Sequence, residues 1–201
     1  RGMAEATATF RLDGVTRRYG AMTALDGITL EASGNEYVSL LGPSGSGKTT
    51  LLRVIAGFEA PDAGRVVVGG RDVTDLPAHL RGIGFVFQNF ALFPHLTVRR
   101  NVAFGLENGP VRVEPAEVAR RVAEVIGLVG LKGLEERGVD QISGGQRQRV
   151  ALARTLVMQP RLVLLDEPLG ALDANLRHRM RGELRALRER LGVTFLHVTG
   201  S

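Results

Sequence analysis

The chain has 201 residues, of which 44% are hydrophobic, and it carries a formal net charge of +5 with no cysteine. The length is enough for one well-buried core, and the lack of cysteine excludes disulfide bonds and thiolate metal sites and agrees with a cytoplasmic location. No apolar run approaches the ~20 residues that a membrane-spanning helix needs, so we expect the chain to reach a membrane only through a partner.

Three strands with alternating polar residues are predicted in the first third of the chain. They run from Phe10 to Val15, from Ile28 to Ala32 and from Arg65 to Val68. This alternation favours an antiparallel sheet with one buried face. The stretch from Thr16 to Gly20 is interpreted as a turn between the first two strands, and it carries Tyr19.

A glycine-rich loop joins a predicted strand, Glu36 to Leu41, to a predicted helix, Thr50 to Ala56. The loop reads Gly42-Pro43-Ser44-Gly45-Ser46-Gly47-Lys48-Thr49, which fits the phosphate-loop pattern G-x-x-x-x-G-K-[ST] in its strand, loop and helix context. Without a Cβ, glycines let the backbone N–H groups curl around anionic oxygens. Lys48 is predicted to reach the β- and γ-phosphates of a nucleotide, and the Thr49 hydroxyl to hold Mg²⁺. A plain turn between strand and helix is the alternative.

Beyond the loop, Ile83 to Phe87 is a continuous apolar run that ends at Gln88, which is typical of a buried strand. Gln88 is a candidate for the γ-phosphate region, and an ordinary loop residue is the alternative. Tyr19 is placed either to stack on an adenine ring or to pack against neighbouring residues. Amphipathic helices are predicted from Leu96 to Leu106 and from Ala116 to Val129.

A second candidate anion site opens the next helix, which is predicted to run through Met158. Its start reads Ser143-Gly144-Gly145-Gln146. Ser143 is a good N-cap, and the two glycines let the backbone approach a ligand closely. The positive end of the helix dipole favours an anion there, so the chain is predicted to offer two phosphate-binding surfaces.

An apolar strand from Leu162 ends in two carboxylates, Asp166 and Glu167. Asp166 is predicted to support Mg²⁺, and Glu167 to polarise the attacking water as general base. A charged strand end without a role is the alternative. The arginines between 177 and 190 are interpreted as the solvated face of a helix rather than a nucleic-acid footprint, and a last strand is predicted from Gly192 to Val198.

The combination and order of these motifs resemble the ATP-binding subunit of ATP-binding cassette transporters. The resemblance covers the chain from about Phe10 to Thr199, with Ile142 in the first place of the family's L-S-G-G-Q signature. It implies an α/β fold: a phosphate-loop NTPase core with a mainly parallel sheet, an N-terminal antiparallel β subdomain and a helical subdomain that carries the signature. We expect a single ATPase domain over residues 1–201, with its core at about 3–90 and 160–199 and the helical subdomain at about 91–159.

The resemblance also implies ATP and Mg²⁺ as cofactors. It assigns catalytic roles to Glu167, Gln88 and Lys48, and places Thr49, Gln88 and Asp166 at the metal. The nucleotide-binding residues that it implies are Tyr19 at the adenine, the loop Gly42, Pro43, Ser44, Gly45, Ser46, Gly47, Lys48, Thr49 with Thr50, and the signature Ser143, Gly144, Gly145, Gln146.

Within the family, the segment from Gln88 to Val98 resembles bacterial importers of polyamines, iron, sulfate and maltose. In those relatives it borders the groove that receives a short helix of the membrane subunit. The resemblance therefore implies an integral membrane permease as partner, a peripheral position on the cytoplasmic face of the inner membrane, and no nucleic acid. It further implies a head-to-tail homodimer, in which Ser143 to Gln146 closes over ATP on the other copy and Gly170 to Asp173 crosses to the partner.

The chain departs from the family at its last strand, where relatives read V-T-H-D and this chain reads Val198-Thr199-Gly200-Ser201. Because Gly200 replaces a histidine that contacts the γ-phosphate, we expect slow hydrolysis. His197 is interpreted as a packing residue of the strand. We also expect that the chain is truncated after Thr199 and lacks a C-terminal regulatory domain. The alternatives are a soluble cassette ATPase of DNA repair or translation and an ATP-binding fragment without catalysis.

Overall fold

The computed structural model describes residues 9–34, 36–43, 45–87, 89–166 and 191–199, with five single positions between 178 and 189. Their elements, in chain order, are β1 (Phe10–Tyr19), β2 (Met22–Ala32), β3 (Tyr37–Leu41), α1 (Lys48–Ala56), β4 (Ala63–Val68), β5 (Arg71–Asp72), β6 (Ile83–Val86), α2 (Val98–Asn108), α3 (Pro115–Leu128), α4 (Gly144–Leu156), β7 (Leu162–Asp166) and β8 (Thr194–Thr199). Two compact units result, one from residues up to 85 with 161–166 and 191–199, the other from residues 86–160. In the described part of the chain, none of the helices combines the length and apolar character that crossing a bilayer requires.

The predicted antiparallel sheet is confirmed, and its strands lie in the order β2-β1-β4-β5. Phe10 and Leu12 of β1 alternate inward and are fully buried, as a half-buried strand requires. The interpretation of Thr16 to Gly20 as a turn is wrong, because β1 continues until Tyr19 pairs with Met22 of β2. The turn is confined to Gly20 and Ala21. Polar residues are tolerated at the end of β1 because Arg18 and Tyr19 are exposed to solvent.

The second sheet has the order β3-β8-β7-β6, and β8 pairs in parallel with β3 and with β7. Four of the five residues of β7 are buried, as expected for a parallel strand covered on both faces. Helix α1 supplies Leu52 and Ile55 to an apolar core that also receives Leu12 from the antiparallel sheet and Leu164 from the parallel sheet. The helix that follows the glycine-rich loop is thereby fixed against both sheets.

The carboxyl end of α1 is capped by residues outside its apolar stripe. At its end, Gly57 adopts a left-handed conformation with φ of 91° and caps the carbonyls of Arg53 and Val54. The buried Arg81 guanidinium donates to the carbonyls of Val54 and Ile55, each at 3.0 Å. It also binds two carbonyls of the loop between β5 and β6. Arg81 therefore adds a second donor to the Val54 carbonyl and satisfies the Ile55 carbonyl at the end of the helix.

Helices α2, α3 and α4 form the second unit and pack against one another. The apolar positions predicted for α3, Val118, Val122, Val125 and Ile126, are buried. Helix α2 begins at Val98, two residues later than predicted, because the side chain of Thr97 caps it by accepting a hydrogen bond from Arg100 N. The segment after α3 completes this cap, since Val98 N donates to Arg137 O at 2.8 Å.

Candidate functional site

The phosphate loop places Lys48 at the carboxyl ends of two neighbouring parallel strands. The Lys48 ammonium donates to the carbonyl oxygen of Gly42, just after β3, and to that of Thr199 at the end of β8, at 2.9 Å. Gly42 N lies 3.4 Å from the same Thr199 oxygen. In open α/β sheets, ligands bind beyond the carboxyl ends of the strands. The predicted phosphate-binding lysine thus lies where the fold favours a ligand.

The glycines of the loop are needed for its shape. Gly47 has a φ of +86°, and a Cβ on it would lie 2.5 Å from the carbonyl oxygen of Ala24. A Cβ on Gly42 would lie 2.8 Å from Ser46 Oγ. Gly45 also has a positive φ, +83°. Ser44 and its backbone lie outside the described residues. The chain therefore forms a close-packed backbone cradle here, which fits a phosphate group approached by main-chain N–H groups.

The first turn of α1 and the end of β7 carry the predicted metal ligands. Thr49 is exposed and Thr50 is half-buried in this turn, and Asp166 ends β7, the strand on which α1 packs. Among the described residues, no group of three or more His, Asp and Glu side chains is arranged to hold a metal ion by itself. Mg²⁺ is commonly bound through one or two carboxylates together with substrate phosphates, so a hydroxyl and a carboxylate at this edge fit the ion. Gln88 and Glu167 lie outside the described residues.

Tyr19 takes part in a polar cluster on the surface of the first unit. Its hydroxyl donates to the Glu59 carboxylate, and the Arg17 guanidinium lies 4.8 Å from the ring centroid. Arg17 is itself ion-paired to Glu59 and Asp62. Tyr19 remains 37% exposed. The ring is held in place at the surface, and its role in stacking on adenine stays a prediction.

The signature segment begins α4 with a reciprocal pair of hydrogen bonds. Ser143 Oγ accepts from Gln146 N at 3.2 Å, and Gln146 Oε1 accepts from Ser143 N at 2.8 Å. This capping box leaves the hydroxyl proton of Ser143 available as a donor. Ser143 and Gly144 are exposed, and a Cβ on Gly144 would meet no atom within 4 Å. An exposed serine hydroxyl at a helix N-terminus is suited to an anion, and the role of Ser143 at a phosphate stays a prediction.

Sequence reasoning missed Asn101, which shapes the segment after Gln88. Asn101 is fully buried in α2, where its Oδ1 accepts from Phe93 N at 2.8 Å. Its Nδ2 donates to the carbonyls of Phe93, Leu96 and Thr97. The available signal was an amide on the apolar face of a predicted helix, since a buried amide needs several partners.

His197 is buried inside β8, as expected for a histidine that packs within a strand. Its Nδ1 lies 2.9 Å from the Tyr37 hydroxyl oxygen, and the two rings meet edge to face. The side chain is thus engaged by the neighbouring strand β3. No phosphate-binding role is assigned to it.

The sequence matches the family described as ABC transporter over residues 25–170. Three curated relatives are the spermidine/putrescine import ATP-binding protein PotA of Acidothermus cellulolyticus (56% identical), the sulfate/thiosulfate import ATP-binding protein CysA of Caulobacter vibrioides (53%) and the Fe(3+) ions import ATP-binding protein FbpC of Brucella abortus (50%). The alignments cover 90%, 95% and 93% of this chain and 47%, 57% and 52% of those proteins. The chain therefore spans about half the length of the curated relatives it matches.

Solved structures with the same fold include cbiO1 from Clostridium perfringens, part of the ABC transporter complex cbiONQ. It has a TM-score of 0.89 and 29% identity, over 96% of this chain and 79% of that one. A second is the ATP-binding cassette MJ0796 in a dimeric post-hydrolysis state bound to ADP and Pi, with a TM-score of 0.80 and 34% identity, over 96% of this chain and 88% of that one. These matches confirm the predicted α/β fold class.

Proposed function

Because this chain belongs to the ABC transporter family as an ATP-binding domain, we propose that it is the ATP-binding and ATP-hydrolysing subunit of an importer. The observation that carries this proposal is the position of Lys48, whose ammonium is held at the carboxyl ends of β3 and β8 by the Gly42 and Thr199 carbonyls. A cation at this edge, beside a glycine cradle, is suited to a phosphate chain. The three curated relatives, all import ATP-binding proteins, support the same role.

Within this function, each predicted site residue has a chemical role. Lys48 binds the β- and γ-phosphates, while Thr49, Asp166 and Gln88 hold Mg²⁺, which neutralises charge on the phosphates when bound. Gln88 in addition senses the γ-phosphate. Glu167 orients and polarises the attacking water.

The signature segment serves a second copy of the chain. We propose a head-to-tail dimer in which Ser143 donates its hydroxyl proton to the γ-phosphate of ATP on the partner's phosphate loop. The exposed capping box supports this role, because it presents the hydroxyl and the first-turn N–H groups outward. One structural relative is described as dimeric. Each copy then contributes one ATPase domain, with its core at about 3–90 and 160–199 and its helical subdomain at about 91–159.

A cavity in the second unit supports docking of a membrane permease at the cytoplasmic face of the inner membrane. The cavity, of about 580 Å³, lies between α2, α3 and the linker that joins them. Leu106, Val118 and Val122 give it an apolar floor, and Arg100 and Arg112 stand on its rim. Neither of these two arginines makes an ion pair with any described residue. The lining also includes Glu107, and it begins at Arg99, the residue that follows the segment from Gln88 to Val98 in the sequence. We propose that a short amphipathic helix of the permease docks here, with acidic residues facing Arg100 and Arg112.

The docking proposal is tested by charge reversal. Arg100→Glu with Arg112→Glu should lower recovery of the chain with its coexpressed permease, whereas Arg71→Glu on β5, in the other unit, should not. Unchanged recovery of the double variant would contradict docking at this cavity.

We further propose that this chain hydrolyses ATP slowly. Gly200 lies outside the described residues, but it directly follows Thr199 and offers no side-chain donor. Loss of one donor to a developing oxyanion costs about 100-fold in rate. We expect nucleotide binding to be retained without this donor.

The nucleotide-binding step is tested with the only two lysines of the chain, Lys48 and Lys132. Lys48→Met should weaken binding of a fluorescent ATP analogue about 100-fold, because it removes charge-assisted hydrogen bonds to two phosphates. Lys132→Met, an exposed site in the second unit, is the matched control and should retain parental affinity. Equal affinity of both variants would refute the assignment of the phosphate loop.

A further inference from the structure

Arg154, near the end of α4, binds the segment that follows Gln88. Its Nη1 donates to the carbonyl oxygen of Ala91 at 2.7 Å, and its Nη2 donates to that of Phe90 at 3.0 Å. The guanidinium also lies 5.7 Å from the centroid of the Phe93 ring. One side chain of α4 therefore binds two consecutive carbonyl groups and also contacts the nearby Phe93 ring.

The two gripped residues have an unusual backbone. Phe90 has a φ of 64° and Ala91 a φ of 48°. Left-handed conformations are unfavourable for residues with a Cβ, and two in succession are rarer still. Such strained residues persist only when their surroundings hold them, and they concentrate at functional and switch regions. The two hydrogen bonds from Arg154 stabilise this backbone conformation, because they bind the carbonyls of both residues.

Arg154 has no carboxylate partner among the described residues. It is half-buried, and burial lowers the pKa of its guanidinium from the usual value. A desolvated cation is costly unless its donors are satisfied. Here the donors are satisfied by main-chain carbonyls of one loop. The arrangement uses a cation to fix a backbone rather than to form an ion pair.

We propose that Arg154 is a positioning residue for γ-phosphate recognition, because it holds Phe90 and Ala91 left-handed in the segment that follows Gln88 in the sequence. The proposal rests on the role of Gln88 in the proposed function. It adds a physical link along α4, because Ser143 caps the start of this helix and Arg154, near its end, binds the segment that follows Gln88.

The test is a double-mutant cycle read out as the ratio of ATP affinity to ADP affinity in the presence of Mg²⁺, which needs no hydrolysis. Gln88→Ala should lower the ratio about tenfold, as expected for loss of one hydrogen bond to a charged group. Arg154→Met should lower it to a similar extent while ADP affinity stays parental. The double variant should show no further loss, since a residue that acts through Gln88 has no effect once Gln88 is gone.

Arg149→Met is the matched control, because Arg149 lies on the same helix and donates to the carbonyl of Val129 at 3.0 Å, a residue outside the segment that Arg154 binds. It should keep the parental ratio. Additive losses in the double variant, or an equal loss in Arg149→Met, would overturn the proposal, since both are the behaviour of a merely structural arginine.

A second variant keeps the test decisive if Arg154→Met does not fold. Ala91→Val places a β-branched residue at a φ of 48° with Arg154 intact, and should reproduce the loss of the ratio. Ala91→Gly should keep the parental ratio, because glycine accepts the left-handed conformation. A parental ratio in Ala91→Val would overturn the conformational argument.

The failures are distinguishable. If Gln88→Ala leaves the ratio unchanged, the proposed role of Gln88 fails, and this inference fails with it. If Gln88→Ala lowers the ratio and neither Arg154→Met nor Ala91→Val does, the inference alone fails.

Discussion

Lys48 Nζ lies 2.9 Å from the carbonyl oxygen of Thr199, a residue 151 positions further along the chain. The contact joins the glycine-rich loop to the end of β8, so this strand adjoins the proposed phosphate-binding surface. Residue 200 lies outside the described residues, but it follows Thr199 directly in the sequence. If the proposed function is correct, the identity of residue 200 should affect the rate of ATP hydrolysis.

We expect Gly200→His to raise the rate of ATP hydrolysis about 100-fold, because it supplies a donor to the developing oxyanion. Affinity for ATP should change little, since Lys48 and the loop are untouched. Steady-state phosphate release at saturating Mg-ATP measures the effect. Gly200→Phe is the control: its ring has no N–H donor, and a similar gain in that variant would contradict the donor argument.

Ser143 and Thr97 cap two helices of the second unit, and comparing their alanine variants distinguishes an effect on helix capping from an effect on nucleotide contact. Ser143→Ala and Thr97→Ala each remove a side chain that accepts from a first-turn N–H, so each should lower the free energy of unfolding by about 1 kcal/mol in urea titrations. Only Ser143→Ala should also reduce ATP-dependent dimerisation, seen by sedimentation velocity. Equal dimerisation of the two variants would assign Ser143 a capping role alone.

Tyr19 is expected to contribute ring stacking rather than its hydroxyl. Tyr19→Ala should weaken ATP binding about tenfold, the scale of base stacking on an aromatic ring, while Tyr19→Phe keeps the parental affinity although it loses the bond to Glu59. Inorganic tripolyphosphate serves as the control ligand and should bind both variants equally. Weaker tripolyphosphate binding by Tyr19→Ala would indicate damage to the loop instead.

Glu117 should make the second unit sensitive to acid. Hydrogen bonds from Arg120 and then Arg121 lower the pKa of Glu117 from 4.5 to about 2. Since the folded pKa lies below the unfolded value, the carboxylate stabilises the fold above pH ~4.5, and this contribution is lost as the pH falls towards 2. Glu117→Gln should flatten the pH dependence of the free energy of unfolding in that window.

The effect of Glu117 is measured by urea titrations at pH 2 to 7, and 1 M salt should weaken it because the ion pair is at the surface. An unchanged slope in Glu117→Gln would show that its ion pairs with Arg120 and Arg121 do not form in solution.

Much of the fold followed from local patterns. The alternation of β1, the apolar run of β7 and the stripe of α3 depend on neighbours within a few residues, so the sequence predicted these elements correctly. The turn assigned to Thr16 to Gly20 was wrong, because the ladder that extends β1 is formed with residues of β2. The hydrogen bonds of this ladder cannot be predicted from the residues between Thr16 and Gly20 alone.

The residues of the two candidate phosphate surfaces were identified by the sequence alone, because the glycines of the loop and the serine cap of α4 act through their own local backbone. Only the tertiary structure brought Thr199 to Lys48, Asn101 to the loop at Phe93, and Arg154 to Phe90 and Ala91. These contacts join distant parts of the chain, and their partners are main-chain carbonyls that every residue carries. No pattern of residue types distinguishes one carbonyl from another, so packing alone selects the partner.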